Sequence, residues 1–313
     1  MNPSMHYRPN PLRRAVKRVM KEKMLWLICI PLIVWVVVFA YYPMYGVIMA
    51  FLDYFPGMEL LQSPFVGLKH LRSFVFSSDF PRIMRNTLAI SGLNLLFGFP
   101  LPIILALLLT ELRSRRFRKV VQTISYLPYF LSWVVVASIF FSFLNTEGLI
   151  NTLLSMLGLI KRPIPFMGKG EYFWGIITFA NVWKGIGWNA IVYLSAIAGI
   201  DHELYEAGAI DGLGRLGAVW YITLPQIKTT IVLLLILAIS GLLNAGFEQQ
   251  LLLGNAMTME YHDVIDTYAY RYGIKQGNFA YATAVGLLKS VIGFGMMLGA
   301  NLISRKTLDV SIF

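Results

Sequence analysis

The chain has 313 residues, of which 57% are hydrophobic and only 14% charged, with a formal net charge of +11 at pH 7. A soluble domain of this size carries about 25% charged residues, so the composition excludes an ordinary water-soluble globule and points to a bilayer. The positive charge is not a nucleic-acid footprint, because Lys and Arg sit in short clusters between long apolar runs, as on the flanks of membrane helices.

In chain order, a basic tail over residues 1–23, with Arg13, Arg14, Lys17, Arg18, Lys21 and Lys23, leads into the first apolar run. That run is free of Asp, Glu, Lys and Arg from Lys23 to Asp53, longer than the apolar region of a signal peptide, and its end, "FAYYPMYG", is crowded by aromatics. It is expected to be a retained anchor. Charge-free stretches follow from Arg85 to Glu111, Lys119 to Glu147 and Lys228 to Glu248, and two more, Glu171 to Asp201 and Lys275 to Arg305, are interrupted once each by Lys184 and Lys289. Each can supply the roughly 20 apolar residues that a helix needs to cross the hydrocarbon core. Runs such as "LPIILALLLT" lack the alternation of barrel strands. The expected fold is therefore all-α, a polytopic membrane bundle of six transmembrane helices, surrounded by lipid and lying in the cytoplasmic membrane.

The densest basic clusters, the tail and "RSRRFRK" (Arg113 to Lys119), lie on one side with Arg215, Lys228, Arg305 and Lys306. That side is expected to be the cytoplasm, with both termini in it. The three loops on the other side, Asp53 to Arg85, Glu147 to Glu171 and Glu248 to Lys275, are too short for a separate globular unit. The chain is read as a basic tail (1–23), one membrane domain (24–304) and a short C-terminal tail (305–313), with a cytoplasmic loop at 201–228.

That loop is "DHELYEAGAIDGLGRLGAVWYITLPQIK". Asp201 suits a helix N-cap, and Glu203 in the first turn favours the helix dipole. A helix should run to about Ile210 and break at Gly212 and Gly214, since glycine tolerates the backbone of a sharp turn. A second short helix should end at Leu224-Pro225.

"EAGAIDGLGRLGAVWYITLP" resembles the EAA motif of the permease subunits of binding-protein-dependent ATP-binding-cassette importers, matching at Glu206, Ala207, Gly212, Ile222, Leu224 and Pro225. It departs at Gly208, where that family usually has Ala. The segments "IPLIVWVVVFAYYPMYGVIMAFLDY", "TISYLPYFLSWVVVASIFFSFL" and "NVWKGIGWNAIVYLSAI" extend the resemblance to the sugar-permease branch of polysaccharide or lipoprotein type. The resemblance implies the type I importer permease (MetI-like) fold and import of a sugar or oligosaccharide. The loop would be a coupling helix that docks on a cytoplasmic ATPase, with Ala207, Gly208 and Ala209 permitting close approach and Glu206 offering a carboxylate. It further implies a second related permease, as a heterodimer, two ATPase subunits that bind the ATP and Mg, and an extracytoplasmic solute-binding protein.

Ionisable residues within spans are costly and mark cavities or partners. Asn181, Lys184 and Trp188 share one helical face, with Asn189 and Tyr193 on a neighbouring one. Together with Lys289, Asn244, Glu248 and Gln249 they are the candidate substrate pathway, since aromatic, amide and ammonium groups suit a sugar. The structural alternative places Trp and Tyr at interfaces, Asn between helices, and Lys184 or Lys289 in a pair with Glu248.

His6, His70, His202 and His262 have no metal-ligand spacing, and Cys29 is alone. No Walker A sequence or nucleophile elbow occurs, so the chain itself is expected to hold no cofactor and to hydrolyse no ATP. Paired intramembrane carboxylates or histidines for an enzyme are missing. A channel would need no such loop. A permease for amino acids or peptides shares the loop and is the nearest alternative.

Overall fold

The computed structural model describes residues 22–308 and 310–312. The basic tail up to Lys21 lies outside the described residues. The chain divides into two compact units, one ending at Met49 and the other beginning at Ala50.

In the first unit, α1 (Lys23–Val36) passes through a π turn, Val37–Tyr41, into the helical turn that holds Pro43. Proline lacks an N–H and its ring collides with the carbonyl four residues back. Widening the helix just before it relieves both conflicts, and the apolar helical run continues from Lys23 to Phe51.

The second unit starts with α2 (Lys69–Val75), followed by α3 (Phe80–Gly98) and α4 (Pro100–Glu111). Next are α5 (Arg115–Tyr126), α6 (Trp133–Leu144), α7 (Leu149–Met156) and α8 (Phe173–Ala198). α9 (His202–Ile210), α10 (Arg215–Gln226) and α11 (Lys228–Ser240) form the loop and the helix after it. α12 (Glu248–Leu253), α13 (Ile265–Tyr270) and α14 (Phe279–Leu308) complete the unit. Among the described residues the only β pairing is an isolated bridge between Leu52 and Phe65.

Four helical runs are long and apolar enough to cross a membrane: Lys23–Phe51, Phe80–Glu111, Trp133–Met156 and Phe279–Leu308. The pair α10 and α11, bent by 63°, makes a fifth when taken as one span. At 26 residues α8 is about 39 Å long, enough to span. Its amides and Lys184 keep it out of the strongly apolar set. Six spans are compatible with this inventory.

Two boundaries differ from the charge-free stretches. The third stretch is not one helix. α5 ends in a 3-10 turn, Leu127–Phe130, and the chain is extended at Leu131 and Ser132 before α6. Pro128 and the Ser132 cap, whose hydroxyl accepts from the Val135 N–H at 3.3 Å, enforce the break. The fifth helix stops at Ser240, seven residues short of Phe247, because Gly241 caps it and Gly246 has φ +88°.

α8 is the central element. It packs on α3, α4 and α5, and one apolar core joins Phe173, Ile177 and Ala180 to Val136 and Phe140 of α6. Gly187 lies so close to the Ser125 carbonyl and the Tyr126 ring that a Cβ there would overlap the α5 backbone.

A second knot ties the 258–271 segment to α3. The Asp263 carboxylate, 1% exposed, meets Arg271 at 2.7 Å and Arg82 at 3.3 Å and accepts from the Thr267 hydroxyl at 2.9 Å. The fully buried Asn86 amide donates to the carbonyls of Glu260 and Asp263. Asp263→Ala leaves Arg271 without its carboxylate partner and Arg82 with Asp79 alone, at 2.7 Å. It should lower stability by roughly 3 kcal/mol, the low end for one member of a buried pair because both arginines stay partly solvated. A thermal shift of the detergent-purified protein measures the loss.

Candidate functional site

The 201–228 loop is a two-helix unit with defined caps. Asp201 caps α9, its carboxylate accepting from the Glu203 N–H at 3.0 Å. At the other end the Leu213 N–H donates to the Gly208 carbonyl at 2.8 Å and the Gly212 N–H to the Ala209 carbonyl at 3.1 Å. This is a Schellman termination, and it places Gly212 in the left-handed region, at φ +81°. The expected break at Gly212 therefore has a defined geometry.

The exposure of the small residues divides them. Ala207 and Ala209 are exposed and the Glu206 side chain is 74% exposed, while Gly208 is buried. A Cβ on Gly208 would come within 2.8 Å of Ile222 Cδ1 and 3.0 Å of Leu213 Cδ1. Gly208 therefore serves the packing of the loop on itself and is not part of an open docking face. The Tyr205 and Thr223 hydroxyls, 2.9 Å apart, add a second tie between α9 and α10.

The second helix does not end at Leu224-Pro225 as expected. It widens into a π turn over Val219–Thr223, carries Pro225 inside the run and breaks two residues later, at Ile227. The same device accommodates Pro43 in the first unit. Pro225 is exposed, whereas Leu224 and Ile227 pack with Ala190, Tyr193 and Ile197 of α8 and Ala106 of α4. α10 thus links α9 to the bundle.

Five of the candidate pathway residues converge. Asn181, Trp188, Asn189 and Tyr193 from α8 and Asn244 beyond α11 line a cavity of about 410 Å³ between α3, α8 and α11. Asn181 lies in an amide chain, donating to Asn94 Oδ1 at 3.3 Å and accepting from Gln249 Nε2 at 3.4 Å. Ser91 of α3 also lines the cavity, and its buried hydroxyl has no partner among the described residues. Asn94 and Ser91 escaped the sequence reading. Their signal was present as polar residues inside an apolar span.

The two lysines are elsewhere. Lys289 pairs with Asp266 at 2.6 Å, not with Glu248, and does not line the cavity. The reason is helical register: α13 and α14 pack together and bring Asp266 to it. Lys184 is not among the lining residues either, and its ammonium donates to the carbonyls of Tyr129 at 2.6 Å, Leu131 at 2.7 Å and Pro128 at 3.4 Å. Glu248 is exposed and is neither among the cavity lining nor paired with either lysine. Among the described residues no group of His, Cys, Asp and Glu is arranged to hold a metal.

A bundle of apolar, span-length helices with a capped two-helix loop rooted in its core, and a cavity lined in part by amides, defines a transport protein of the membrane. The chain belongs to the binding-protein-dependent transport system inner membrane component family, whose model matches residues 98–309. It is 44% identical over 293 residues to protein LplB of Bacillus subtilis, covering 93% of this chain and 91% of that one. It is 42% identical over 302 residues to the polygalacturonan/rhamnogalacturonan transport system permease protein YteP of the same organism, covering 96% and 94%. Among solved structures, a chain of a bacterial alginate ABC transporter, in complex with an alginate pentasaccharide-bound periplasmic protein, superposes with a TM-score of 0.86 at 39% identity, covering 95% of this chain and 99% of that one.

Proposed function

We propose that the chain is the permease subunit of an ATP-driven importer for a sugar or oligosaccharide. It would work with a second, related permease, two ATPase subunits that bind ATP and Mg, and an extracytoplasmic solute-binding protein. The observation that carries this reading is the 201–228 loop. It presents Ala207 and Glu206 on an exposed helix whose far side packs on α10, and α10 in turn packs on the bundle. ATPase closure would push α9, the Gly208–Ile222 contact and the Tyr205–Thr223 bond would pass the movement to α10, and the bend at Ile227 would turn it into α11. α11 and the residues just after it form one wall of the cavity, so the movement reaches the substrate path.

In the cavity, amides and hydroxyls suit a hydroxylated chain and the Trp188 indole suits the apolar face of a sugar ring. The substrates in the names of YteP and the alginate transporter agree with a glycan. Uptake by proteoliposomes of the complete transporter tests the class. Oligosaccharide accumulation that requires ATP and the binding protein is the expected result. Accumulation of amino acids or peptides instead would overturn the sugar assignment.

The loop and the basic clusters are proposed to face the cytoplasm, with both termini. Single cysteines at Ser114 and Ser311, in a Cys29→Ser background, should resist a membrane-impermeant thiol reagent in whole cells, and one at Ser155 should react. All three positions are exposed within this chain. The opposite labelling pattern contradicts the orientation.

A further inference from the structure

We infer that Lys184 is a positioning residue, one that sets the aromatic wall of the cavity by holding the break between α5 and α6. This rests on the reading of that cavity as part of the substrate path.

In a continuous helix the carbonyls of Pro128, Tyr129 and Leu131 would accept from N–H groups four residues on. The extended backbone at Leu131 and Ser132 removes that ladder for Tyr129 and Leu131, while the Pro128 carbonyl accepts from the Leu131 N–H at 3.2 Å. Inside a bilayer such carbonyls need another donor. Lys184 supplies it with three N–H groups on one ammonium, at 2.6, 2.7 and 3.4 Å. The same ammonium lies 5.2 Å from the Tyr129 ring centroid and 5.6 Å from that of Trp133. Tyr129 in turn stacks on Trp188 with centroids 4.4 Å apart and planes 2° from parallel, and Phe130 meets Trp188 edge-on at 6.0 Å. The indole is 42% exposed and lines the cavity one helical turn along from Lys184. Gly187, between them, brings α8 against the α5 backbone and fixes the register. One ammonium thus satisfies the broken backbone and orients the tyrosine that holds the indole in place, while making no contact with the cavity itself.

The test is a double-mutant cycle on the complete transporter in proteoliposomes, read as KM and maximal rate for oligosaccharide uptake, with assembly followed by co-purification of all subunits. Lys184→Met keeps the length of the side chain and removes the donors. Trp188→Ala removes the platform. Each single variant should raise KM by about two- to tenfold, the worth of one aromatic stacking interaction. In the Trp188→Ala background, Lys184→Met should add nothing, because its effect passes through the indole. Additive effects would overturn the inference, because Lys184 would then act independently of the indole. Wild-type kinetics for Lys184→Met beside impaired Trp188→Ala would overturn it while leaving the cavity reading intact. Wild-type kinetics for Trp188→Ala would instead remove the cavity reading on which it rests. If Lys184→Met does not assemble, Tyr129→Leu keeps the carbonyl and the lysine while deleting the stacked ring. It should raise KM in the same range, and an unchanged KM would overturn the inference.

Discussion

Replacing Ala207 by Trp is expected to abolish ATP-driven uptake while leaving the permease folded in the membrane. Ala207 is exposed on α9, so an indole there meets no neighbour within the chain and costs its stability little. Its effect would fall on the proposed ATPase partner, since a close-packed interface core does not absorb an inserted ring. Glu206→Lys acts on the same face by reversing the charge of a side chain 74% exposed. Gly212→Val tests the geometry in place of the surface. A Cβ at this residue meets nothing within 4 Å, so the penalty is purely conformational. A β-branched residue at φ +81° is strained by about 1–3 kcal/mol, enough to re-aim α10 relative to α9. All three variants should leave ATP hydrolysis unresponsive to the solute-binding protein or weaken ATPase co-purification. Normal uptake with normally stimulated hydrolysis in all three would reduce the loop to a connector.

The second large effect is expected at Gly187. Gly187→Leu forces a side chain into the Ser125 carbonyl at the closest approach of α8 and α5, where backbone must move. Overpacking of this kind costs roughly 3 kcal/mol or more. The displaced α5 would also pull the break away from Lys184. Little permease should accumulate in the membrane, as judged by quantitative immunoblot of membrane fractions. Gly175→Ala on the same helix is the contrast. A Cβ there meets nothing within 4 Å, so accumulation should be unchanged, and helix propensity favours the alanine by about 1 kcal/mol. Equal accumulation of the two variants would mean that the α5–α8 contact is not needed for folding.

The sequence carried the architecture because charge depletion marks bilayer segments directly. Lys23, Asp53, Arg85 and Glu111 sit at or near helix ends for the same energetic reason that spans exclude them. The 201–228 loop was legible because its signals are local. The Asp201 cap, the end of α9 at Ile210 and the turn at Gly212 depend only on neighbouring residues.

What failed depended on partners distant in sequence. Leu224-Pro225 reads as a helix end, but a π turn two residues earlier absorbs the proline. Gly208 looked like part of an open small-residue face until Ile222 folded onto it. An intramembrane lysine signals that a partner exists without naming it. For Lys289 the partner is Asp266, and for Lys184 it is three backbone carbonyls that no side-chain pattern reveals. The break that frees the Tyr129 and Leu131 carbonyls lies within the uncharged stretch from Lys119 to Glu147, where charge counting sees a continuous span.

The measurement that tests the central claim most directly is ATP-dependent uptake of labelled oligosaccharide by proteoliposomes of the complete transporter, with wild-type permease or Ala207→Trp. The account predicts accumulation for the wild type only with ATP and the binding protein present, and none for Ala207→Trp despite equal incorporation. Uptake by Ala207→Trp at the wild-type rate, or wild-type uptake without ATP, would contradict it.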